Sequence, residues 1–229
     1  MGLVLLTYFM YNIPINKGNI MSISPFKTPN IVAEVNYGSH VYGSNTHLSD
    51  KDCITIVNHI STINDTIRLK TVDLTVINNK DFQERLNQHD IMAIECYFLP
   101  PEHILVGSIT DNFTFDLDIV KLRQSFSKTS SNSWVKAKKK INVEHQPYIG
   151  MKSMFHSLRI LDLGIQLATT GKIYDYSSSN HYLKEILDIG PDWDTLNETF
   201  KPVYNKLHSE FKKHTVKFNH DTIIQGIPC

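Results

Sequence analysis

The sequence lacks a net charge, a disulfide framework and a long hydrophobic run. Lys plus Arg number 23 and Asp plus Glu number 23, so the formal net charge is zero. Proteins held to nucleic acid by bulk electrostatics are usually strongly basic, so any contact with a polyanion here needs a local cationic patch. The hydrophobic share of 41% is high enough to exclude intrinsic disorder as the main state.

Cysteines are too few and too widely spaced for a covalent scaffold. Cys53, Cys96 and Cys229 are the three in the chain, and no pair of them has the spacing of a Cys-x-x-Cys motif. This pattern argues against a disulfide framework and against a cysteine-rich zinc site. We therefore expect a reducing compartment, the cytoplasm.

The apolar segment at 1–10 (MGLVLLTYFM) is too short to span a membrane. No Lys or Arg precedes it, so it also lacks the basic start of a signal peptide. We predict no membrane association and expect this segment to dock on the core as a first strand or helix.

Strand patterns dominate the first half of the chain and helix patterns the second. Short β-branched runs at 31–37, 52–58 and 71–78 predict strands, and the last alternates cleanly between apolar and polar residues. Later segments carry apolar residues at helical spacing; they lie at 118–126, 134–141, 151–171, 181–190 and 192–213. We predict the α+β class, with a small mixed β-sheet core flanked by helices over 1–117 and an α-helical domain over 118–229.

Three aspartates are the candidate metal ligands. Asp50 and Asp52 are two residues apart, so on a strand their carboxylates share one face with Cβ atoms about 6–7 Å apart. Asp73 lies on the polar face of the third predicted strand and joins them if the strands pair. Oxygen donors favour Mg²⁺ or Mn²⁺ over zinc. Shared carboxylates holding two ions are what two-metal phosphoryl chemistry requires.

A glycine and a serine precede these acids. Gly38 permits a close backbone approach, and Ser39 with its amide can hold a terminal phosphate. The alternative remains that Asp50 and Asp52 cap a strand at an exposed turn and that Asp73 lies on a solvated strand face.

The spacing of these residues resembles that of the DNA polymerase β nucleotidyltransferase superfamily, with Gly-Ser followed eleven residues after the serine by Asp-x-Asp. More narrowly, GSHVYGSNTHLSDKD is similar to the GSHAYG-x₅-SD-x-D signature of nucleotidyltransferases linked to RNA repair in bacteria and phages. The likeness extends over roughly 30–215 and includes IMAIECYFLP at 91–100 and the helix with Lys152, His156 and Arg159.

The resemblance implies a role for each matching residue. Gly38 and Ser39 would bind the triphosphate of an NTP. Asp50 and Asp52 would ligate two Mg²⁺ (or Mn²⁺) ions. Asp73 would ligate the catalytic ion and accept the proton of the attacking hydroxyl. Pyrophosphate would leave, and the acceptor would be an RNA end resembling that of a tRNA.

Two groups of cations are candidates for binding anions. Lys152, His156 and Arg159 lie at i, i+4 and i+7 and share one helix face, which either leans over the triphosphate or is simply solvated. The run KAKKK at 136–140, with Trp134 nearby as a stacking surface, either binds the acceptor nucleic acid or forms a solvated helix edge.

Three functions compete at this point. The first is nucleotidyl transfer to RNA. The second is transfer to a protein or a small molecule, as in minimal nucleotidyltransferase antitoxins or aminoglycoside adenylyltransferases. The third is a catalytically silent binding module, against which the intact acid triad argues. Glu95, within an apolar run, is either a supporting acid or a satisfied buried carboxylate. The sequence indicates no oligomeric state.

Overall fold

A computed structural model describes residues 31–47, 49–58, 65–68 (the backbone only) and 72–216. The apolar segment at 1–10 lies outside the described residues. The chain divides into two compact units. The first contains Met92–Phe115 and the described residues before Gln88, and the second contains Gln88–Ile91 and the described residues from Asp116 onward.

A five-stranded mixed sheet forms the centre of the first unit. Its strands are β1 (Ile31–Tyr37), β2 (Lys51–Val57), β3 (Asp65–Arg68), β4 (Val72–Asn78) and β5 (Ile104–Gly107), in the spatial order β3-β4-β2-β1-β5. β2 pairs in parallel with β4, whereas β1 pairs antiparallel with β2 and β5, and β3 antiparallel with β4. The predicted α+β class with a small mixed sheet is confirmed.

Three helices of this unit lie between or after the strands: α1 (Ser39–Tyr42), α2 (Asn79–Asn87) and α3 (Ile91–Tyr97). A single 3₁₀ turn at Pro101–His103 leads into β5. The sequence indicated neither β3 nor β5. Both are four residues long, and β3 lies in a polar stretch, so neither shows enough alternation to be recognised.

The core of the first unit surrounds β2, the third of the five strands. Residues 53–57 are all buried, because a central strand is covered on both faces and shows a nearly continuous apolar run. Cys53 and Val57 pack with Leu74 and Val76 of β4 in one apolar cluster. The alternation in β4 thus places its even-numbered residues in this cluster, and Asp73 points to the other face.

Four helices make up the second unit: α4 (Ile119–Asn142), α5 (Pro147–Thr170), α6 (Asn180–Ile189) and α7 (Trp193–His214). The predicted C-terminal helical region is therefore confirmed. α5 ends at Gly171, as predicted, with φ of 75° and an N–H that donates to the carbonyl of Leu167 at 2.9 Å. None of the helices in the described part of the chain combines the length and the apolar composition that a bilayer crossing requires.

α4 is one continuous helix where the sequence predicted two. The predicted break was the Ser- and Thr-rich stretch between them. Ser130 there is fully buried, and its hydroxyl donates to the carbonyl of Ser157 in α5 at 2.7 Å. Thr129 donates to the carbonyl of Ser125 at 2.9 Å. Because these hydroxyls find acceptors without unwinding the backbone, the helix continues through the polar stretch.

Candidate active site

Asp52 and Asp73 lie side by side on neighbouring strands. The parallel pairing of β2 with β4 sets Asp52 opposite Asp73 in register. Paired residues of adjacent strands, about 4.8 Å apart, project to the same face of a sheet. Both side chains are partly exposed, at the start of their strands. The fold therefore brings together two of the three aspartates that the sequence singled out.

The Gly38-Ser39 turn lies directly against one of these acids. Gly38 joins β1 to α1 with φ of 70° and ψ of −145°, a conformation that residues with a side chain rarely adopt. A Cβ atom placed on Gly38 would lie 2.2 Å from Oδ2 of Asp52. The missing side chain thus lets the carboxylate of Asp52 approach the turn, and Ser39 is buried next to it.

The third aspartate, Asp50, is exposed and lies just before β2. Within the described residues, no three His, Cys, Asp or Glu side chains come close enough to hold a metal ion by themselves. Mg²⁺ is commonly bound by one or two carboxylates and completed by substrate phosphates and water. The partly exposed pair of Asp52 and Asp73, with only oxygen donors, fits such an ion, and Asp50 is two residues from the pair.

Glu95 accepts hydrogen bonds from residues on both sides of the Gly38-Ser39 turn. It is fully buried on α3, and its Oε2 accepts hydrogen bonds from the phenol groups of Tyr37, at 2.6 Å, and Tyr42, at 2.8 Å. Tyr37 is the last residue of β1 and Tyr42 the last of α1. Burial, and next the charge of Glu95, raises the pKa of Tyr37 well above its usual value, so this phenol remains a donor. Glu95 is thus a buried carboxylate with two donors on its Oε2.

In the second unit, the face of α5 with Lys152, His156 and Arg159 is only partly solvated. Arg159 is 4% exposed, and the other two side chains are partly exposed. Burial, then the cations of Arg159, Lys152 and Lys136, lowers the pKa of His156 to about 3. His156 is thus uncharged at neutral pH, and the cations of this face are Lys152 and Arg159, with Lys136 from α4.

The basic run at 136–140 does not carry an open stacking surface. Trp134 is 8% exposed, and its ring packs against Trp193, at 6.0 Å between ring centroids, and Tyr204, at 4.8 Å. Lys139 bonds Glu144 at 2.9 Å, and Lys140 bonds the same carboxylate. A base therefore cannot stack on Trp134, and Glu144 offsets one of the two charges of Lys139 and Lys140.

A different cationic surface lies between α4 and α7, which we call the α4–α7 groove. It has a volume of about 600 Å³ and is lined by Val120, Arg123, Gln124, Ser127, Lys128, Ser131, His208, Lys212 and Thr215. Within the described part of the chain, Arg123, Lys128 and Lys212 form no ion pair. Burial, and then Lys212, Arg123 and Lys201, lowers the pKa of His208. Sequence reasoning missed this surface because its cations are isolated in the sequence.

The chain is distantly similar in structure to two solved proteins. No protein-family model matches the chain, and no curated protein matches its sequence significantly. A spectinomycin adenyltransferase from Enterococcus faecialis, crystallised with ATP and spectinomycin, is 14% identical, with 80% of this chain and 92% of that chain covered and a TM-score of 0.43. A nucleotidyltransferase-like protein from Exiguobacterium sibiricum is 14% identical, with 81% of this chain and 70% of that chain covered and a TM-score of 0.30. Similarity this low establishes neither a shared fold nor a shared activity.

Gly38→Ala should destabilise the protein more than Gly171→Ala does. Both glycines have positive φ, of 70° and 75°, but a Cβ at Gly171 would meet nothing within 4 Å. Backbone strain costs each variant about 1–3 kcal/mol, and the collision with Asp52 adds to it only at Gly38. Urea unfolding of both variants measures the difference. Equal losses would mean that the carboxylate of Asp52 is not packed against the turn.

His156 should make the protein less stable as the pH falls from 7 to 5. The unfolded chain protonates this imidazole below about pH 6.5, whereas the folded ring stays neutral down to about pH 3. Proton uptake by the unfolded state therefore lowers the free energy of unfolding by up to about 2 kcal/mol at pH 5.

Urea unfolding of His156→Gln at the two pH values should show a smaller pH dependence than the wild type shows. His214→Gln, at an exposed side chain of α7, is the matched control and should keep the wild-type difference. An unchanged pH dependence in His156→Gln would show that this ring is not kept neutral by the fold.

Proposed function

We propose that this protein transfers a nucleoside monophosphate from an NTP to a hydroxyl group at an RNA end, with release of pyrophosphate. The observation that carries the proposal is the in-register pair of Asp52 and Asp73 next to the Gly38-Ser39 turn. Two adjacent carboxylates repel each other unless a cation lies between them. Glycine lets the backbone of the turn lie close to Asp52, so a phosphate bound by the turn and an ion bound by the carboxylates would be neighbours.

Each residue of the site has a role in the proposed reaction. Asp52 and Asp73, together with Asp50, would hold Mg²⁺ or Mn²⁺, and bound ions would neutralise the charge that develops on the phosphoryl group. A carboxylate oxygen of Asp73 takes the proton from the acceptor hydroxyl. The hydroxyl oxygen forms a bond to the α-phosphorus, and the bond from that phosphorus to pyrophosphate breaks.

The triphosphate would be bound by the Gly38-Ser39 turn through its backbone N–H groups and the hydroxyl of Ser39. We further propose that three residues of the second unit also bind the triphosphate: Lys152, His156 and Arg159. Lys152 and Arg159 would supply charge, and the neutral ring of His156 would supply a hydrogen bond. Arg159 offers the planar fork that matches a phosphate group.

The α4–α7 groove supports an RNA acceptor rather than a small neutral one. Its cations Arg123, Lys128 and Lys212 have no carboxylate partner among the described residues. Arg123 and Lys128 are five residues apart, about 7.5 Å along the axis of α4. Three cations lining one groove suit the consecutive phosphates of a chain, each of which carries a negative charge.

Substitution of either paired aspartate should abolish transfer. Asp52→Asn and Asp73→Asn remove one carboxylate charge each with little change in shape, and loss of a base or metal ligand typically costs about 10²–10⁴-fold in rate. The measurement is incubation with each labelled NTP, Mg²⁺ or Mn²⁺ and total RNA. Asp111→Asn, at an exposed site of the same unit, should remain active.

Asp73→Asn should retain most of its NTP affinity, because this residue acts on the acceptor proton. If the RNA stays unlabelled, whether or not label appears on the protein itself, the proposed RNA acceptor is rejected. Near-normal turnover by Asp73→Asn would show that another residue serves as the base.

Removal of the groove cations should weaken RNA binding by roughly tenfold and reduce its salt dependence. The variant Arg123→Ala/Lys128→Ala/Lys212→Ala loses three phosphate partners, so the slope of log affinity against log salt should fall by about 2 for a single strand. Fluorescence anisotropy with a labelled oligonucleotide, without NTP or metal, measures both quantities.

Two variants of equal charge change complete this test. Lys172→Ala/Lys184→Ala/Lys206→Ala removes three exposed lysines outside the groove and should bind RNA as the wild type does. Lys136→Ala/Lys138→Ala/Lys139→Ala tests the basic run. If only the variant of the basic run loses affinity for RNA, the RNA-binding surface is the run at 136–140 and not the groove.

A further inference from the structure

We infer that Glu95, through Tyr37 and Tyr42, is a positioning residue for the Gly38-Ser39 turn and for Asp52 behind it. The inference rests on the proposed function, because it names what holds the phosphate-binding turn in its working geometry. The resemblance described above gives Glu95 no role, and neither tyrosine was singled out by the sequence.

The ends of the turn converge on one carboxylate oxygen. Tyr37 precedes Gly38 and Tyr42 ends the helix that follows it, and both phenols donate to Oε2 of Glu95, at 2.6 and 2.8 Å. Two donors from different elements that meet at one acceptor atom restrict the positions of both elements. The two rings also meet edge to face, with centroids 6.1 Å apart and an interplanar angle of 78°. The distance between the ends of the turn is thereby fixed.

The middle of the turn has a conformation that only glycine adopts readily. Gly38 has φ of 70° and ψ of −145°, and because a glycine backbone has many other conformations open to it, neighbouring residues have to hold it in this one. Tyr37 is the register partner of Asp52 across β1 and β2, and Oδ2 of Asp52 lies against Gly38. A shift of Tyr37 therefore moves both the turn and the carboxylate that it faces.

The cost of the arrangement indicates that it serves more than stability. A buried carboxylate loses its hydration, so replacement of such a polar network by apolar side chains is often neutral or stabilising. What apolar packing does not supply is the fixed direction of two hydrogen bonds to one atom. A fixed direction matters where a phosphate and a metal ligand have to be held at a set separation.

Tyr42→Phe and the double variant Tyr37→Phe/Tyr42→Phe remove the hydroxyl groups and keep the rings. Thr55→Val is the matched control, because it removes the hydroxyl that donates at 3.3 Å to a different buried carboxylate, Glu34, in the same sheet. Three quantities are compared: hydrogen exchange of the backbone amides at 38–44, the affinity for ATP with Mg²⁺, and the melting temperature.

We expect faster amide exchange at 38–44 in both tyrosine variants and an affinity for ATP that is lower by roughly tenfold to a hundredfold. Thr55→Val should lower the melting temperature without either change. Glu95→Gln, whose side-chain oxygen still accepts from the phenols, should bind ATP better than Glu95→Ala does. This rescue separates positioning from a general loss of packing.

Unchanged exchange at 38–44 in the double variant, or equal effects in Thr55→Val, would overturn the inference. The exchange measurement needs no nucleotide. Faster exchange in a protein that binds no NTP would therefore contradict the proposed function while supporting the part of Glu95 in fixing the turn.

Discussion

The parallel pairing of β2 with β4 is the constraint on which the candidate site depends. It sets Asp52 opposite Asp73, and a shift of one residue in this register would turn one of the two carboxylates to the apolar face. The register is in turn held by the buried cluster of Cys53, Val57, Leu74 and Val76 on that face. The acids are therefore positioned by apolar packing on the opposite side of the sheet.

A second constraint acts on the turn that faces the acids. β1 ends at Tyr37 and is paired with β2 through Tyr37 and Asp52, so the turn begins at the level of the first acid. Only a glycine fits at position 38, since a side chain would strain this backbone conformation and would collide with Asp52. The site thus combines a rigid pair of carboxylates with a backbone segment that Glu95 holds from behind.

The sequence predicted those parts of the molecule whose patterns are local. The strands around Ile54 and Leu74 have clear β-branched or alternating patterns, and Gly171 marks the end of a helix. The side-by-side placement of Asp52 and Asp73 was expected if their strands paired, and the structure has that pairing. The hydrogen bonds of Glu95 could not be predicted, because its partners are 53 and 58 residues away and only the fold brings them together.

The net charge of this protein does not reveal how its cations are distributed in the fold. The net charge is zero, yet two sets of cations gather in the second unit, one around His156 and one around His208. Each set draws residues from α4 and from one other helix, so neither set is contiguous in the sequence, although Lys136 of the first set begins the run at 136–140. The one dense run, at 136–140, is partly neutralised by Glu144, whose pKa Lys140 and Lys139 lower to about 2. For a polyanion, the decisive quantity is therefore the number of cations without an acidic partner on one surface, and the net charge does not report it.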